Sequence, residues 1–323
     1  MAARRRASAA GHCATATELA GIGHAPRTPQ RLSRGEWVSV FKRTFSRFLA
    51  DDCMGLAQEV AYSALLAFFP AIAFLLGLLG VLHLFDQVQS FLGTVAPHGV
   101  IHFIEGLQRD SRGGTKVVAL VVGGGGAIWA ASGAMGSVIK AVNRAYERLE
   151  TRPFWKVRGI AILLVLLFGA TVVALAVLIV FGGPLGTAIA DKAHLGGAFT
   201  WLWAILRWPI AFVAVLLLFA FVYTFAPNKE PRTWKWVTPG SVVAAVLWLA
   251  LSGLFTLYVT FAGSYSKTYG SLAAGVILLL WLNYTAWAIL FGAELNSELD
   301  RQADIHAAGG EHAGLTKPSR RRA

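Results

Sequence analysis

The side chains of this chain that could bind a ligand lie where long apolar segments begin and end. Glu59 and Tyr62 fall on one helical face at the start of the first segment, and Glu294 and Asn296 follow the last segment. A carboxylate at a membrane edge is stable when it is hydrated or paired. These residues therefore predict a polar mouth that receives a substrate or, as the simpler alternative, carboxylates that are solvated at helix ends.

A second group of polar residues lies inside the apolar segments. Asn283, Tyr284 and Thr285 occur together in the last segment, and Ser252 occurs in the segment before it. Hydrogen bonding between helices is the usual role of such side chains in a membrane. Lining a polar path is the alternative, which makes Asn283 a candidate cavity residue.

Patterns typical of enzymes and metal sites are weak in this sequence. His98 and His102 are one helical turn apart with Glu105 following, which could hold zinc, but an amphipathic interfacial helix explains them as well. The run Gly123–Gly126 lacks the Gly-Lys-Ser/Thr that a phosphate loop requires. We therefore predict no catalytic residue, no metal and no cofactor, and a protein that is not an enzyme.

The elements that must position these residues are six segments without a charged residue. Each exceeds the roughly 20 apolar residues that cross about 30 Å of hydrocarbon. Backbone groups in hydrocarbon need internal partners, so each segment is predicted to be helical. The predicted fold is an all-α, polytopic membrane helix bundle with six transmembrane helices. The segments are Val60–Phe85, Val117–Ile139, Gly159–Ala190, Trp208–Asn228, Trp236–Ser266 and Thr268–Ala293.

The distribution of charge predicts the orientation of the chain. Of its 29 Lys and Arg residues, 23 fall on the side that holds both termini and the second and fourth connections. Positive residues mark the cytoplasmic side, so we predict a multi-pass protein of the plasma (inner) membrane with both termini in the cytoplasm. We expect Glu59 or Glu294 to pair with a basic residue of the second connection.

The net charge of +12 also bears on the partners of the chain. A nucleic-acid binder would gather its basic residues on one folded surface. Here they are dispersed over tails and short loops, so no nucleic acid is predicted. The basic cytoplasmic face instead predicts membrane lipids as partners, with their anionic headgroups on that side.

Composition divides the chain into three parts. Residues 1–35 are predicted to be a disordered cytoplasmic tail, residues 36–300 the membrane domain, and residues 301–323 a second, basic and disordered tail. Early in the membrane domain, Phe41 and Phe45 recur at helical spacing with basic residues opposite them. This pattern predicts an amphipathic helix on an anionic leaflet; packing against the cytoplasmic end of the bundle is the alternative.

Four residues are predicted to shape the helices. Pro70 removes a backbone hydrogen bond and predicts a kink in the first span. Gly126 lies four residues before a second small residue, a spacing typical of close helix contacts. Thr238 can cap the fifth span, whose first position suits Pro239.

Several motifs, in order, resemble the YihY/BrkB membrane protein family over about residues 36–300. The resemblance implies a six-span inner-membrane protein without a settled activity, in a family that has carried the labels ribonuclease BN and virulence factor. It marks Tyr269 as a candidate substrate residue and Asn143 and Gly270 as structural residues. Val142 stands where the family often has Leu. The motifs are Ala57–Tyr62 with Phe69-Pro70, Val142–Tyr146, Pro227-Asn228 with Pro239-Gly240, Thr268–Ser271, and Trp281 with Gly292–Asn296.

The leading functional prediction is a transporter or handler of a lipid or amphipathic solute in envelope homeostasis. A membrane scaffold or assembly factor without transport is the alternative. Ribonuclease activity is the least favoured function, because phosphodiester cleavage usually needs metal-holding carboxylates or a general acid–base pair. The cytoplasmic side of this sequence offers no such cluster.

Overall fold

The computed structural model describes residues 33–81, 116–193, 196–229, 238–261 and 271–315. Within these residues the regular elements are helices, and no strand occurs. Five helices, α2, α4, α6, α7 and α8, are long and apolar enough to cross a membrane. The helices are α1 (Arg34–Ala50), α2 (Cys53–Val81), α3 (Lys116–Ala145), α4 (Phe154–Ala176), α5 (Gly182–Ala193), α6 (Gly196–Phe225), α7 (Pro239–Phe261) and α8 (Ser271–Leu315), with a π-helical segment, Val177–Phe181, between α4 and α5.

The second predicted span corresponds to α3, which is helical over 30 residues. It is not among the five helices that are apolar enough to span, judged on the described residues. The run Gly123–Gly126 and the small residues after it lower its hydropathy. Five of the six predicted spans therefore contain a helix that is long and apolar enough to cross a membrane, and the remaining one, α3, is a helix rich in glycine.

Six of the long helices form a ring in chain order. Each of α2, α3, α4, α6, α7 and α8 packs against its neighbour in the sequence, and α8 closes the ring against α2. The pair α2 and α3 is antiparallel: Ser63 and Ser137 hydroxyls lie 2.9 Å apart, and Gly124 lies against Phe74 further along. Sequential helices joined by short connections favour this arrangement.

Packing is unequal along the ring. We call the half of each span nearer α1 the inner half and the other the outer half. Inner halves bury a continuous core, whereas large apolar side chains of the outer halves are exposed to solvent or lipid. The core includes Val60, Val138, Ile139, Leu164, Phe219, Val222, Ala244, Ala245, Leu290 and Ala293. Exposed outer-half residues include Leu66, Phe69, Val172, Val173, Trp201, Leu202, Leu249, Leu254 and Leu257.

The helix α1 packs across the inner end of α8. It begins with a capping box in which Ser33 and Glu36 bond each other's backbone N–H groups. Val40 and Phe48 are buried on the face toward the bundle, while Phe45 is among the apolar residues exposed on a neighbouring face. The helix therefore makes the bundle contact that was the alternative, and it also keeps an apolar surface free in the structure.

Two predicted boundaries and one predicted contact differ from the structure. The described structure starts α1 at Arg34 and continues α8 to Leu315, beyond the predicted tail boundary at residue 300. Gly126 does not lie at a helix contact, because a side chain there would meet no atom within 4 Å. Gly124 faces α2 instead, since positions two residues apart point to nearly opposite sides of a helix.

The two prolines behave differently. Pro70 lies inside α2, which continues as one helix from Cys53 to Val81. Pro239 is the first residue of α7, and the Ser241 N–H donates to Oγ1 of Thr238 at 3.1 Å. The helix start and its cap are as the sequence predicts.

Candidate functional site

Buried polar residues converge at the inner end of the ring, where α1, α2, α3 and α8 meet. Glu298 of α8 is only 4% exposed. The Arg43 Nε donates to it at 3.0 Å, and Arg47 Nε lies 3.6 Å away. Arg301 adds a third guanidinium at 3.4 Å. Because the buried charge is compensated by two arginines of α1, Glu298 fastens α1 to α8.

Glu294 is buried without an ion pair among the described residues. It is 2% exposed, and its Oε1 accepts a hydrogen bond from the Cys53 thiol at 3.5 Å. No basic residue of the second connection pairs with it in the described part of the chain. Glu294 is thus a component of the inner core rather than an open ligand site.

Asn296 joins two helices by capping α7. Its Oδ1 accepts from the Gly240 N–H at 2.9 Å, and its Nδ2 donates to Oγ1 of Thr238 at 3.0 Å. Beside it, burial raises the pKa of the Tyr146 phenol well above its usual range, and the charge of Asp300 raises it further. Asn296 therefore satisfies N-terminal groups of α7 that would otherwise lack partners.

Glu59 and Tyr62 lie on an accessible surface of α2. The Lys140 ammonium donates to both Glu59 carboxylate oxygens at 2.9 Å, which is the pairing expected for one of the two carboxylates. Tyr62 is 60% exposed. The pair joins α2 to α3 and leaves Tyr62 free to contact lipid or a ligand.

Asn143 is the centre of a clasp between the second and fourth connections. Its Nδ2 donates to Glu150 at 2.8 Å, and its Oδ1 accepts from the Asn228 N–H at 2.7 Å. Arg152 bonds Glu150 and also donates to the Ala226 carbonyl at 2.8 Å. The hydrogen bond from Arg152 lowers the pKa of Glu150 below its usual value. The clasp fixes the inner end of α6.

A cleft of about 490 Å³ opens beside this clasp, between the inner ends of α2, α3 and α4. Arg144 Nε lies 3.7 Å from Oδ1 of Asp51, and Oδ2 of Asp51 is buried without a hydrogen-bond partner. Asp52 has a positive φ of 53°, which turns the chain between α1 and α2. The cleft is lined by Asp51, Asp52, Leu56, Gly136, Ile139, Lys140, Asn143, Arg144, Arg148, Leu149, Glu150 and Val157.

The remaining candidates lie away from the inner end or outside the described residues. Asn283 is in α8, where its Oδ1 is buried without a partner. Near it, Trp281 donates to the Ser252 hydroxyl at 3.3 Å, so polar groups of α7 and α8 do meet within the apolar part of these helices. Tyr269, Gly270 and the histidine pair predicted as a possible zinc site all lie outside the described residues. Within those residues, no three His, Cys, Asp or Glu side chains are grouped to hold a metal ion.

A family model described as virulence factor BrkB matches residues 44–315, which is most of the chain. The chain belongs to the BrkB family. This BrkB-family chain is similar to YfkH of Bacillus subtilis (strain 168), whose name calls it ribonuclease-like, with 31% identity over 269 residues that cover 83% of this chain and 98% of YfkH. No solved structure matches it.

Two further relatives are named UPF0761 membrane proteins. One, from Vibrio parahaemolyticus, is 30% identical over 283 residues, covering 82% of this chain and 83% of that protein. The other, from Idiomarina loihiensis, is 24% identical over 278 residues, covering 82% and 94%. Together with the five helices that are long and apolar enough to cross a membrane, these matches identify a BrkB-family membrane protein and confirm the family resemblance of the sequence.

Several residues at the inner end of the bundle were not predicted from the sequence to belong to a site. Asp51 and Asp52 look like ordinary surface residues of a helix connection, and no spacing predicts that they line a cleft. Arg152 is nearly buried, although its sequence context suggests only a cytoplasmic positive charge. Neither the spacing nor the composition around these residues gives a local signal for the cleft.

Proposed function

We propose that this BrkB-family chain is a six-span protein of the plasma membrane, with both termini in the cytoplasm, that transports or handles a lipid or amphipathic solute. The antiparallel contacts of α3 with α2 support a sixth span at the same depth as the first. The excess of Lys and Arg at the inner end supports a cytoplasmic location for that end. Gly124 of α3 packs against Phe74 of α2, and a span that packs closely on a neighbouring helix through a small residue needs less apolar surface on that side.

The observation that carries the proposal is the unequal packing of the ring. A carrier must be closed on one side of the membrane while the other side gives access to the substrate. The inner halves bury a continuous core, whereas the outer halves leave large apolar residues of several neighbouring helices exposed. Exposed apolar surface on the outer halves suits contact with an amphipathic molecule better than contact with a small ion.

The free apolar face of α1 supports a lipid partner at the cytoplasmic surface. Val38, Phe41, Phe45 and Leu49 are exposed and recur every three or four residues, so they form one stripe. Lys42 lies beside that stripe. A helix of this kind rests in the interface, where its apolar face enters the acyl region and its cations meet anionic headgroups. Nucleic acid is not part of the proposal, nor is catalysis.

Lipid movement and accessibility test the proposal together. In a protein whose two native cysteines are replaced by serine, Ser252→Cys should react with a hydrophilic maleimide that is added on the extracytoplasmic side of the membrane. Ala245→Cys, in the buried core, is the matched control and should not react. Vesicles that contain the protein should also exchange a fluorescent lipid between leaflets faster than empty vesicles. If Ser252→Cys is not labelled and lipid exchange is not accelerated, transport is rejected and the scaffold function is the alternative that stays.

The scaffold alternative has one observation in its favour. The inner end is held by the Glu298 cluster, the Asn296 cap and the Asn143 clasp, which together resist separation of the helices. Such a rigid end suits a protein that positions partners rather than one that changes conformation. A chain that binds lipid but never moves it would fit this alternative.

A further inference from the structure

The cleft at the inner end contains basic and acidic side chains whose ion pairs and hydrogen bonds with each other are incomplete. The side chain of Arg148 has no ion-pair or hydrogen-bond partner among the described residues, and the side chain of Arg144 has only a long contact of 3.7 Å to Asp51. Asp51 keeps one buried oxygen without a hydrogen bond. Buried polar atoms normally find partners, so the Asp51 oxygen indicates a missing partner, and the two arginines are exposed and accessible to one.

Of the other charged residues of the cleft, Asp52 accepts only a long hydrogen bond of 3.4 Å from the Gly55 N–H, and the rest are engaged. Glu150 bonds Arg152 and Asn143, and Lys140 bonds both oxygens of Glu59. The cleft therefore offers two available cations on one side, from α3 and the following connection, and two carboxylates on the other, from the turn between α1 and α2. A ligand that matches it carries one anionic and one cationic group.

The position of the cleft favours a lipid as the source of that ligand. Leu56, Ile139 and Val157 give it an apolar wall. Phe154 and Trp155, at the adjacent start of α4, are exposed, and exposed aromatic residues beside a membrane helix mark the interface with the headgroups. A headgroup can therefore enter the cleft while its acyl chains stay in the bilayer.

We propose that this cleft binds the zwitterionic headgroup of a phospholipid with a primary ammonium, of the phosphoethanolamine type. Arg144 and Arg148 bind the phosphate, and Asp51 and Asp52 accept hydrogen bonds from the ammonium. A quaternary ammonium fits less well, because it has no N–H to donate and is usually held by aromatic rings. Among the lining residues, all within the described part of the chain, none is aromatic.

The inference rests on the proposed function, since it names the lipid class that the protein handles. It is tested by binding alone, using the purified full-length protein in detergent and native mass spectrometry. The probes are phosphatidylethanolamine, phosphatidylcholine and phosphatidylglycerol with identical acyl chains. Wild type should bind phosphatidylethanolamine at least about tenfold more tightly than either other lipid, since a charge-assisted hydrogen bond accounts for a factor of that order.

Two variants separate the two halves of the headgroup. Arg148→Gln should weaken phosphatidylethanolamine and phosphatidylglycerol alike, because both lose a phosphate contact. Asp52→Asn should remove the preference for phosphatidylethanolamine over phosphatidylcholine while keeping phosphatidylglycerol binding. Lys192→Gln removes an exposed cation of α5, far from the cleft, and should change nothing.

The outcomes are distinguishable. An unchanged lipid preference in both Asp51→Asn and Asp52→Asn would overturn the headgroup assignment, as would tighter binding of phosphatidylglycerol than of phosphatidylethanolamine by wild type. Selective binding together with vesicles that move no lipid would uphold the cleft and reject transport. Lipid exchange without any selectivity for the headgroup would uphold transport and reject the cleft as a headgroup site.

Discussion

Gly292 of α8 is the position where a single methyl group should most clearly disturb the ring. An added Cβ would lie 2.3 Å from the Tyr223 hydroxyl oxygen, 2.6 Å from the Gly240 carbonyl oxygen and 2.8 Å from the Ala244 Cβ. The last two atoms cannot rotate away, because one is backbone and the other is fixed to it. Gly292→Ala must therefore push α7 and α8 apart.

The size of the effect follows from these distances. Comfortable contacts between carbon atoms are about 3.5–4.0 Å, so the new methyl group is about 1 Å too close to its neighbours. Overpacking of this kind costs about 1–3 kcal/mol. Replacing a helical glycine by alanine returns up to about 1 kcal/mol. Separation would also strain the 2.8 Å bond from Tyr223 to the Ile289 carbonyl, worth about 1 kcal/mol, which offsets the gain from alanine, so a net loss of about 1–3 kcal/mol is expected.

Thermal unfolding in detergent, followed by fluorescence-detected size exclusion, measures this loss. Gly126→Ala is the matched control, since its new methyl group would meet no atom within 4 Å and should leave the melting temperature equal or slightly raised. A melting temperature of Gly292→Ala at or above that of wild type would refute the contact. So would equal losses for the two variants.

Three further predictions concern charges at the inner end. Glu298→Gln should lower stability by about 1–2 kcal/mol, because it removes charge-assisted hydrogen bonds to arginines that are themselves partly exposed; a melting temperature like that of wild type would contradict the cluster. Lys140→Gln should cost no more than about 1 kcal/mol in the same assay, since its pair with Glu59 is partly exposed. Arg152 holds the pKa of Glu150 below its usual 4.5, so this contribution is complete above that pH and is lost as pH falls below it. Glu150→Gln should therefore flatten the decline in melting temperature between pH 6 and pH 3.5, and an unchanged decline would refute the assignment.

The course of the helices was predictable because it depends on quantities that the sequence displays directly. The length of each apolar run predicts a span, and the start of α7 follows from Thr238 and Pro239. The contact face of α3 was not predictable in the same way. Gly124 and Gly126 lie in the same run of glycines, so their sequence context is nearly identical. Only the rotation of α3 about its axis relative to α2 decides that Gly124 faces Phe74.

The extension of α8 and the composition of the cleft depend on distant partners. Residues after 300 lack an apolar face, yet the helix continues to Leu315. At its beginning this extension is tied by ion pairs from Lys229 to Asp300 and from Arg301 to Glu298. Asp51 and Asp52 likewise gain their role from α3, which is far away in sequence. Pairings over such separations leave no local pattern to recognise.

The charged contacts of the inner end also suggest how a ligand in the cleft could affect the ring. Arg144 contacts Asp51 at the junction of α1 and α2, and Arg47 of α1 pairs with Glu147 in the connection after α3. A phosphate bound by Arg144 would compete with Asp51, and an ammonium would take that carboxylate in exchange. The bound ligand would therefore replace the ion pair between Arg144 and Asp51. The two helices would then be connected through the ligand, and this connection would be lost when the ligand dissociates. If transport occurs, we expect the inner seal to loosen first at this junction, and cross-linking α2 to α3 there should block lipid exchange while leaving headgroup binding intact.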